Sequence, residues 1–365
     1  MKARHQMALA IALWGLAAGV ALGVTPERSS GFRASLTSFN YSNALPIRTA
    51  FNQLRGDPPS GGNLLTSHSR IEVSYGLGAW QFGTYWRRDY DARFDRDTAQ
   101  LLYARQNHAR IATGRDYTLD IEANQVAGFG ASVARTYTFD DARLGVRVAA
   151  LRADRLIEGS AKGRLTVAAD GSISGAARLN YSYTDDIVLH RPHQGHPVGY
   201  GLGLDLSGTY AINPAWRIDA RIDDLLTWVR WNDAPYTRAS LRLARPHLAA
   251  DGTLDTQALL TGVERSRSRW QRLPVRFDVS TSYRLTPVLE AYARVRGIDA
   301  LLLPAVGVRW RFGADSEWSL GWNARANAVE LGFSTARRSV SLSSDQADLG
   351  RARLLALQLR SGGDE

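Results

Sequence analysis

The segment Leu273-Pro274-Val275-Arg276-Phe277-Asp278-Val279-Ser280-Thr281-Ser282-Tyr283-Arg284-Leu285 separates into two faces when its residues are read in steps of two. The apolar face consists of Leu273, Val275, Phe277, Val279, Thr281 and Tyr283. The polar face consists of Arg276, Asp278, Ser280, Ser282 and Arg284. Because successive side chains of a strand point to opposite sides, this pattern predicts a strand with one apolar wall and one charged wall.

The same separation recurs along most of the chain, and aromatic residues accompany many of the turns. For example, Trp216, Ile218, Ala220 and Ile222 alternate with Arg217, Asp219, Arg221 and Asp223. Such repetition predicts an all-β protein, a closed antiparallel transmembrane β-barrel of about 16–20 strands with lipid outside and water inside. A soluble β-sandwich is the alternative, but its outward faces are polar and its aromatic residues point to the core.

The N-terminus has the features of a secretory signal peptide. Lys2 and Arg4 precede an uncharged apolar run from Met7 to Leu22, and Ala21 and Gly23 are small residues at the positions that signal peptidase reads. The sequence therefore predicts a signal peptide at residues 1–23 and a location in the outer membrane of a Gram-negative bacterium. An uncleaved membrane helix is the alternative. After residue 23 no apolar run reaches the length that a spanning helix requires.

The composition narrows the classes of partner. The chain has no cysteine, which excludes a lipoprotein anchor, disulfides and thiolate metal sites. The formal net charge is +10, and lysine occurs only at positions 2 and 162, so nearly all basic residues are arginines. Arginine suits both a charged lumen and the phosphates of lipopolysaccharide, which it can bind with two parallel hydrogen bonds. We expect outer-membrane lipids, lipopolysaccharide and small solutes as partners, and no nucleic acid.

We expect a single structural domain after the signal peptide, because no linker or change in composition divides the chain. Residues 24–66 are predicted to form an N-terminal strand followed by a long loop or a plug segment, since Pro46, Pro58 and Pro59 do not fit a short hairpin turn. Residues 67–365 are predicted to form the barrel. The longer connections 185–198, 231–238 and 263–272 are predicted to lie outside the cell.

Aromatic residues near the short turns are predicted to form an interfacial girdle on the lipid-facing side. The girdle candidates are Phe139, Tyr210, Trp216, Tyr283, Phe312 and Trp318. A second group, from Arg265 to Arg272, packs four arginines and Trp270 into eight residues. This group is predicted either to contact lipopolysaccharide phosphates or to form a mobile basic loop.

A broad family resemblance rests on two short segments. The segments Gly201-Leu202-Gly203-Leu204-Asp205-Leu206 and Asp223-Asp224-Leu225 are similar to strand–turn–strand units of barrels related to the long-chain fatty-acid transporters. The whole chain resembles Gram-negative outer-membrane barrels, including porins. It departs from them at its end, where Leu359 is followed by Arg360-Ser361-Gly362-Gly363-Asp364-Glu365 instead of a terminal aromatic residue.

The inward faces of the predicted strands carry a ladder of charges. Its members are Arg143, Arg147, Arg217, Asp219, Arg221, Asp223, Arg276, Asp278, Glu290, Arg294, Arg296, Arg309 and Arg311. Arginines outnumber acids, and a ring of arginines in a low-dielectric wall favours anions. The ladder predicts a channel or transporter for small polar or anionic solutes. The alternative is a non-conducting structural or assembly barrel, in which paired charges brace a closed lumen.

A polar cluster after the strand at 177–183 is the candidate for metal binding. It contains Asp185, Asp186, His190, His193 and His196. Imidazole and carboxylate groups could hold zinc or copper, or an Asp–His pair could activate water as in a barrel-rim hydrolase. Pro192 and Pro197 favour a solvated loop instead. No further carboxylate pair or serine–histidine arrangement matches the omptin or phospholipase barrels, so we predict neither an enzyme nor a cofactor.

Overall fold

The computed structural model describes residues 29–186, 188–189, 196–243, 247–248, 254–255, 258–313 and 315–362. The predicted signal peptide at residues 1–23 lies outside these residues, and so do His190 and His193. Within these ranges the helices are α1 (Ile47–Phe51) and α2 (Arg96–Asn107). Among the described residues, no helix is long and apolar enough to cross a membrane.

Strands make up most of the remaining structure. They are β1 Ser29–Ser42, β2 Leu64–Gly78, β3 Trp80–Phe94, β4 Arg115–Thr138, β5 Ala142–Val167, β6 Ile173–Tyr183, β7 Gly199–Asn213, β8 Trp216–Asp223, β9 Trp228–Leu243, β10 His247–Leu248, β11 Leu254–Asp255, β12 Ala258–Arg272, β13 Arg276–Arg284, β14 Leu289–Ile298, β15 Leu301–Phe312, β16 Ser316–Asn323, β17 Ala328–Thr335, β18 Arg338–Ser344 and β19 Leu354–Ser361. The pair β10–β11 forms a separate small sheet.

All the other strands belong to one antiparallel sheet that closes on itself. Closure occurs because β1 pairs with β2 on one side and with the last strand, β19, on the other. The sheet contains 17 strands in the described part of the chain, within the predicted 16 to 20. This confirms the predicted fold class, an all-β closed antiparallel barrel.

Three passages of the chain through the barrel wall are broken into two strands each: β6 and β7, β8 and β9, and β12 and β13. The long strand β5 pairs with β7 along residues 142–153 and with β6 along residues 157–167. In the same way, β8 pairs with β7 and β13, whereas β9 pairs mainly with β6 and β12. The strands nearest the short turns form a closed circuit around the barrel. This circuit contains 14 of the 17 strands, because β6, β9 and β12 lie further from the short turns.

The far ends of β4, β5, β6, β9 and β12 extend beyond this circuit as a projecting wall. Strand β3 stops opposite Ile121, whereas β4 and β5 remain paired as far as Arg115 and Val167. The predicted loops 231–238 and 263–272 are therefore wrong, since these residues belong to β9 and β12. Arginine and serine alternate from Arg265 to Arg269, which fits a strand, but residues 261–268 are exposed and carry no continuous apolar face that would have revealed it.

The segment that suggested the fold is a strand only from Arg276 onward. Leu273 was predicted to face lipid, but it is 1% exposed and packs with Val229 and Trp231 inside the barrel. The correction has a local cause: β12 ends at Arg272 and β13 begins at Arg276, with Pro274 between them. Proline cannot donate to the ladder of backbone hydrogen bonds, so alternation does not continue through the break.

The two ends of the barrel differ. The short turns, such as residues 139–141 and 214–215, lie at the same end as the described chain ends, because Ser29 pairs opposite Gly78 and Ser361 opposite Arg338. The opposite end carries α1, α2 and the projecting wall. In barrels of this kind the short turns are periplasmic, so we predict that the wall projects outward from the cell.

The N-terminal segment contributes to the barrel wall and to its outer end. Strand β1 is part of the wall, and β2 already begins at Leu64, three residues before the predicted start of the barrel at residue 67. Residues 43–63 form the long connection, in which Ile47 of α1 packs against Leu65 and Ala92. These contacts place α1 against β2 and β3, and the assignment of the segment as a loop or a plug stays a prediction.

The lipid-facing surface is apolar and rich in aromatic residues. The six girdle candidates all lie near short turns with side chains on the outer surface, between 38% and 52% exposed. Trp216 and Tyr283 contact edge to face at 6.5 Å, and Trp310 and Phe312 lie 4.3 Å apart between ring centroids. Their function as an interfacial girdle stays a prediction.

Candidate functional site

A cavity of about 670 Å³ lies inside the barrel, and its wall carries nine arginines and five acidic residues. Its arginines are Arg70, Arg143, Arg217, Arg221, Arg276, Arg294, Arg296, Arg309 and Arg360. Its acidic residues are Asp219, Asp223, Asp224, Asp278 and Glu330. Ten of the thirteen residues of the predicted ladder line this cavity. The other three are Arg147, Glu290 and Arg311.

Alternation along single strands places many of these charges. On β8, the guanidinium of Arg217 donates to Asp219 at 3.0 Å, and that of Arg221 donates to Asp223 at 2.9 Å. Residues two apart on a strand share a face, so each arginine lies beside an acid of its own strand. These pairs are partly exposed to the cavity.

A second group of charges connects strands that are not neighbours. Arg294 of β14 donates through Nε to Asp278 of β13 at 2.7 Å and through Nη1 to Glu330 of β17 at 3.3 Å. Strands β15 and β16 separate β14 from β17, so this contact crosses the interior of the barrel. Arg296 makes a longer contact with Asp278, 3.4 Å between Nε and Oδ2, and its guanidinium lies over the ring of Phe39.

A third group lies nearer the short turns. Arg309 Nη1 donates to Glu290 at 2.6 Å. Arg311 lies within 3.4 Å of both Glu290 and Glu317. Glu290 and Arg311 therefore belong to the ion-pair network, although they do not line the cavity.

The most buried charges form a cluster of which the sequence analysis predicted only Arg276. Arg87 of β3 donates to Asp224 through two parallel hydrogen bonds of 2.8 and 2.7 Å and to Asp89 through Nε at 2.9 Å. Arg276 of β13 contacts Asp224 at 2.7 Å and Asp89 at 3.2 Å, and His68 pairs with Asp89. The two arginines and two aspartates are nearly inaccessible to solvent.

The rest of the cluster was missed for two different reasons. Arg87 and Asp89 alternate with the outward residues of β3, so the same reading in steps of two would have found them. Asp224 breaks the alternation: it lies in the interruption between β8 and β9 with a φ of 58°, a left-handed conformation that aspartate tolerates better than most residues. Reading in steps of two does not predict where a residue at such a break points.

A smaller cavity of about 350 Å³ adjoins the first one and contains Arg147. Arg147 contacts Glu72 at 3.3 Å and Asp205 at 3.5 Å, and Arg70 contacts Glu72 at 3.1 Å. The ring of Tyr85 lies beside both arginines, 4.1 Å from the guanidinium of Arg70 and 5.4 Å from that of Arg147. Asp205 comes from the glycine-containing segment of β7 that carried the family resemblance.

An apolar cluster fills the interior next to the buried charges. Its larger members Val126, Leu156, Val229 and Trp231 are fully buried. Tyr85 and Leu273 complete its contact with β3 and the β12–β13 break. The indole nitrogen of Trp231 donates to Gln271 at 2.9 Å, so the polar atom of this ring is satisfied inside the cluster. On this side of the barrel, packed side chains replace water.

The predicted metal cluster is only partly placed. Asp186 is buried and accepts hydrogen bonds from Tyr181 Oη at 2.5 Å and from the backbone N–H of Leu189 at 2.9 Å. Asp185 is exposed and lies 3.9 Å from Arg155. His196 is exposed, whereas His190 and His193 lie outside the described residues. The described residues contain no group of three or more potential metal ligands, and metal binding by the full cluster stays a prediction.

A closed antiparallel sheet with an aromatic outer surface and a charged interior defines a β-barrel of the outer-membrane type. The chain belongs to the family of unknown function DUF5723, whose model matches residues 32–296. Among curated proteins, no sequence matches the chain.

Solved structures of several barrels are similar to this chain at low identity. The Ralstonia pickettii toluene transporter TbuX is 12% identical, with 94% of this chain and 91% of that chain covered and a TM-score of 0.40. The Pseudomonas putida toluene transporter TodX is 10% identical, with coverages of 95% and 93% and a TM-score of 0.29. The Escherichia coli outer-membrane protease OmpT is 10% identical, with coverages of 94% and 99% and a TM-score of 0.23.

Proposed function

We propose that this protein is a transport barrel of the Gram-negative outer membrane and that it carries small polar, preferentially anionic, solutes. The observation that supports this proposal is the charge of the 670 Å³ cavity, whose wall holds nine arginines and five acidic residues. A low-dielectric wall focuses the field of such an excess and attracts anions into the cavity.

The excess of positive charge does not depend on where the cavity boundary is drawn. The adjoining 350 Å³ cavity adds two arginines, Arg33 and Arg147, and two acids, Glu72 and Asp205. Including the remaining ion-pair partners, namely Arg87, Asp89, Glu290, Arg311 and Glu317, still leaves three more arginines than acids. The interior therefore has a net positive charge on each of these counts.

The proposal includes no enzymatic activity. Each of the five acids of the large cavity lies within 3.4 Å of an arginine nitrogen. A carboxylate that pairs with an arginine contributes negative charge and hydrogen-bond acceptors, which suits an electrostatic role better than that of a general acid.

A second candidate function is a non-conducting structural barrel. The observation that favours it is the combination of the dry ion-pair cluster around Arg87 and Asp224 with the apolar cluster around Trp231. Both groups occupy interior volume that a permanently open pore would leave to water. The two candidates differ in whether this packed region opens.

Planar-bilayer recording distinguishes the two candidates. The purified barrel is inserted into a bilayer that separates unequal concentrations of potassium chloride, and the reversal potential is measured. An anion-selective conductance would support the proposal. The absence of conductance from barrels that migrate as folded on unboiled gels would favour the structural candidate, and a cation-selective conductance would contradict the anion preference.

A pair of variants tests whether the cavity charge sets the selectivity. Arg296→Gln with Arg360→Gln removes two arginines that line the cavity and lowers the excess of arginines over acids there from four to two. The reversal potential should therefore shift toward the unselective value. Arg325→Gln with Arg351→Gln removes the same charge from exposed loops at the outer end. Equal shifts in the two variants would show that net charge, and not the cavity, determines selectivity.

A further inference from the structure

Several arginines of the barrel point outward, away from the lumen. On β5, β7, β9 and β12, directly paired residues form one continuous row across the outer surface: Arg152, Tyr200, Arg230 and Trp270. The next row toward the short turns contains Leu202, Trp228 and Arg272. We call Arg152, Tyr200, Trp228, Arg230, Trp270 and Arg272 the arginine–aromatic patch.

Cations and rings alternate within the patch. The guanidinium of Arg230 lies 5.4 Å from the centre of the Trp270 ring, and that of Arg272 lies 5.6 Å from the centre of the Trp228 ring. Both distances allow cation–π attraction, which holds the guanidinium of each arginine beside a ring. Tyr200 and Trp270 are 61% and 57% exposed, so the patch is a surface and not part of the core.

The position of the patch along the barrel axis corresponds to a membrane boundary. Strands β5 and β7 pair from Ala142 opposite Tyr210, near the short turns, to Arg152 opposite Tyr200. These ten residues extend roughly 34 Å along a strand. With the usual strand tilt, the height is roughly 25 Å, the thickness of the apolar band of such barrels. Tyr210 and Tyr200 thus lie at opposite edges of the band.

The surface on the two sides of the patch differs in polarity. Toward the short turns lie the exposed apolar residues Val133, Val148 and Leu202. Away from the turns lies Asp154, two residues further along β5 and also exposed. Among the described residues, no carboxylate forms an ion pair with Arg152 or Arg230. Their charge is therefore available to a ligand at the edge of the apolar band.

We infer that the arginine–aromatic patch binds the phosphate groups of a lipid headgroup in the outer leaflet. Arginine binds phosphate through two parallel hydrogen bonds. Arg152 and Arg230 both pair opposite Tyr200 and are two strands apart, a spacing of roughly 10 Å. The rings of Tyr200 and Trp228 occupy the boundary between headgroup and acyl chains, where amphipathic aromatic residues are stable. This inference depends on the membrane position of the barrel and not on whether the lumen conducts.

Lipid binding can be measured on the purified full chain in phosphatidylcholine nanodiscs that contain a minor fraction of lipid A. Native mass spectrometry then counts the lipid A molecules that stay bound. The test variant combines Arg152→Gln with Arg230→Gln, and its affinity for lipid A should fall roughly 30-fold because two cations near the surface are lost. Unboiled gels confirm that each variant is folded.

Three comparisons make the result specific. The control variant combines Arg325→Gln with Arg351→Gln, which removes the same charge from exposed outer loops elsewhere on the barrel, and it should bind lipid A as the wild type does. Dephosphorylated lipid A should bind weakly to all the proteins. The inference is overturned if the control variant loses as much affinity as the test variant, if the phosphates of lipid A make no difference, or if inorganic phosphate competes as strongly as the lipid.

Discussion

The barrel has one arc of uninterrupted hairpins and one arc of interrupted strands. In the uninterrupted arc, from β13 to β19, strict alternation leaves charges such as Asp278 and Arg294 half-buried beside the cavity. In the interrupted arc, the breaks at residues 224–227 and 273–275 place the side chains of Asp224 and Leu273 in an interior that is nearly inaccessible to solvent. The same kinds of residues therefore face water in one arc and pack the lumen in the other, and the difference comes from the breaks.

The largest predicted effect is at the break that contains Asp224. Asp224→Asn removes the charge that Arg87 and Arg276 share, and it leaves two nearly inaccessible guanidinium groups with one aspartate. Loss of one partner of a buried ion pair costs about 3–5 kcal/mol. The free energy of unfolding, measured by urea titration of the barrel in detergent micelles, should fall by about that amount.

Asp278→Asn is the matched control in the uninterrupted arc. Asp278 also pairs with two arginines, but its side chain is 28% exposed and water can solvate the charges that remain. We expect a cost of about 1 kcal/mol, as for partly exposed pairs. Equal costs for the two variants would contradict the distinction between a dry arc and a wet arc.

The second prediction concerns Leu273, at the other break. Leu273→Ala should leave a cavity beside Val229 and Trp231 and cost about 2–4 kcal/mol. Leu331→Ala, on the lipid-facing side of β17, removes the same atoms from a residue that is 55% exposed. It should cost less, because lipid chains fill the space that the side chain leaves. If urea titration showed a larger loss of unfolding free energy for Leu331→Ala than for Leu273→Ala, the buried position of Leu273 would be contradicted.

The two arcs also differ in how well the sequence predicts them. Alternation predicted the closed antiparallel barrel and ten cavity residues, because a strand with one wet and one lipid-facing side has a period of two. It also placed Arg294 and Asp278 inside the barrel, although not the contact of Arg294 with Glu330 across it. Contacts between distant strands depend on the closure of the sheet, which the local pattern does not contain.

The errors concentrate where a strand breaks or has water on both sides. Leu273 was placed on the lipid face because alternation was continued through Pro274. Residues 263–272 were interpreted as a loop because β12 stands in the projecting wall, where both faces are polar and a strand shows no apolar stripe. Asp224 is a different case. It has a left-handed conformation at a strand break, and alternation in steps of two does not predict where its side chain points.

The smallest predicted effect lies outside the membrane, where α2 packs beside the projecting part of β4. Asp95 caps α2: its carboxylate accepts from the backbone N–H of Thr98 at 2.7 Å and from the hydroxyl of Thr118. Partial burial alone would raise the pKa of the Asp95 carboxyl, but the hydrogen bonds from Thr118 and Thr98 lower the pKa below its ordinary value of 3.8. The charged cap should therefore hold the start of the helix on the wall.

Asp95→Ala should weaken α2 locally, by about 1 kcal/mol, and leave the unfolding of the barrel unchanged because the helix lies outside the closed circuit. Since the folded pKa lies below the unfolded value, the contribution of the cap is fully present above pH 3.8 and is lost as pH falls through the folded pKa. Hydrogen exchange of α2, corrected for the intrinsic rate at each pH, measures this loss. Asp95→Asn keeps a capping oxygen but no titrating charge, so its protection should match the wild type near neutral pH and not decline in acid. If both variants declined in acid as the wild type does, a group other than Asp95 would control the helix.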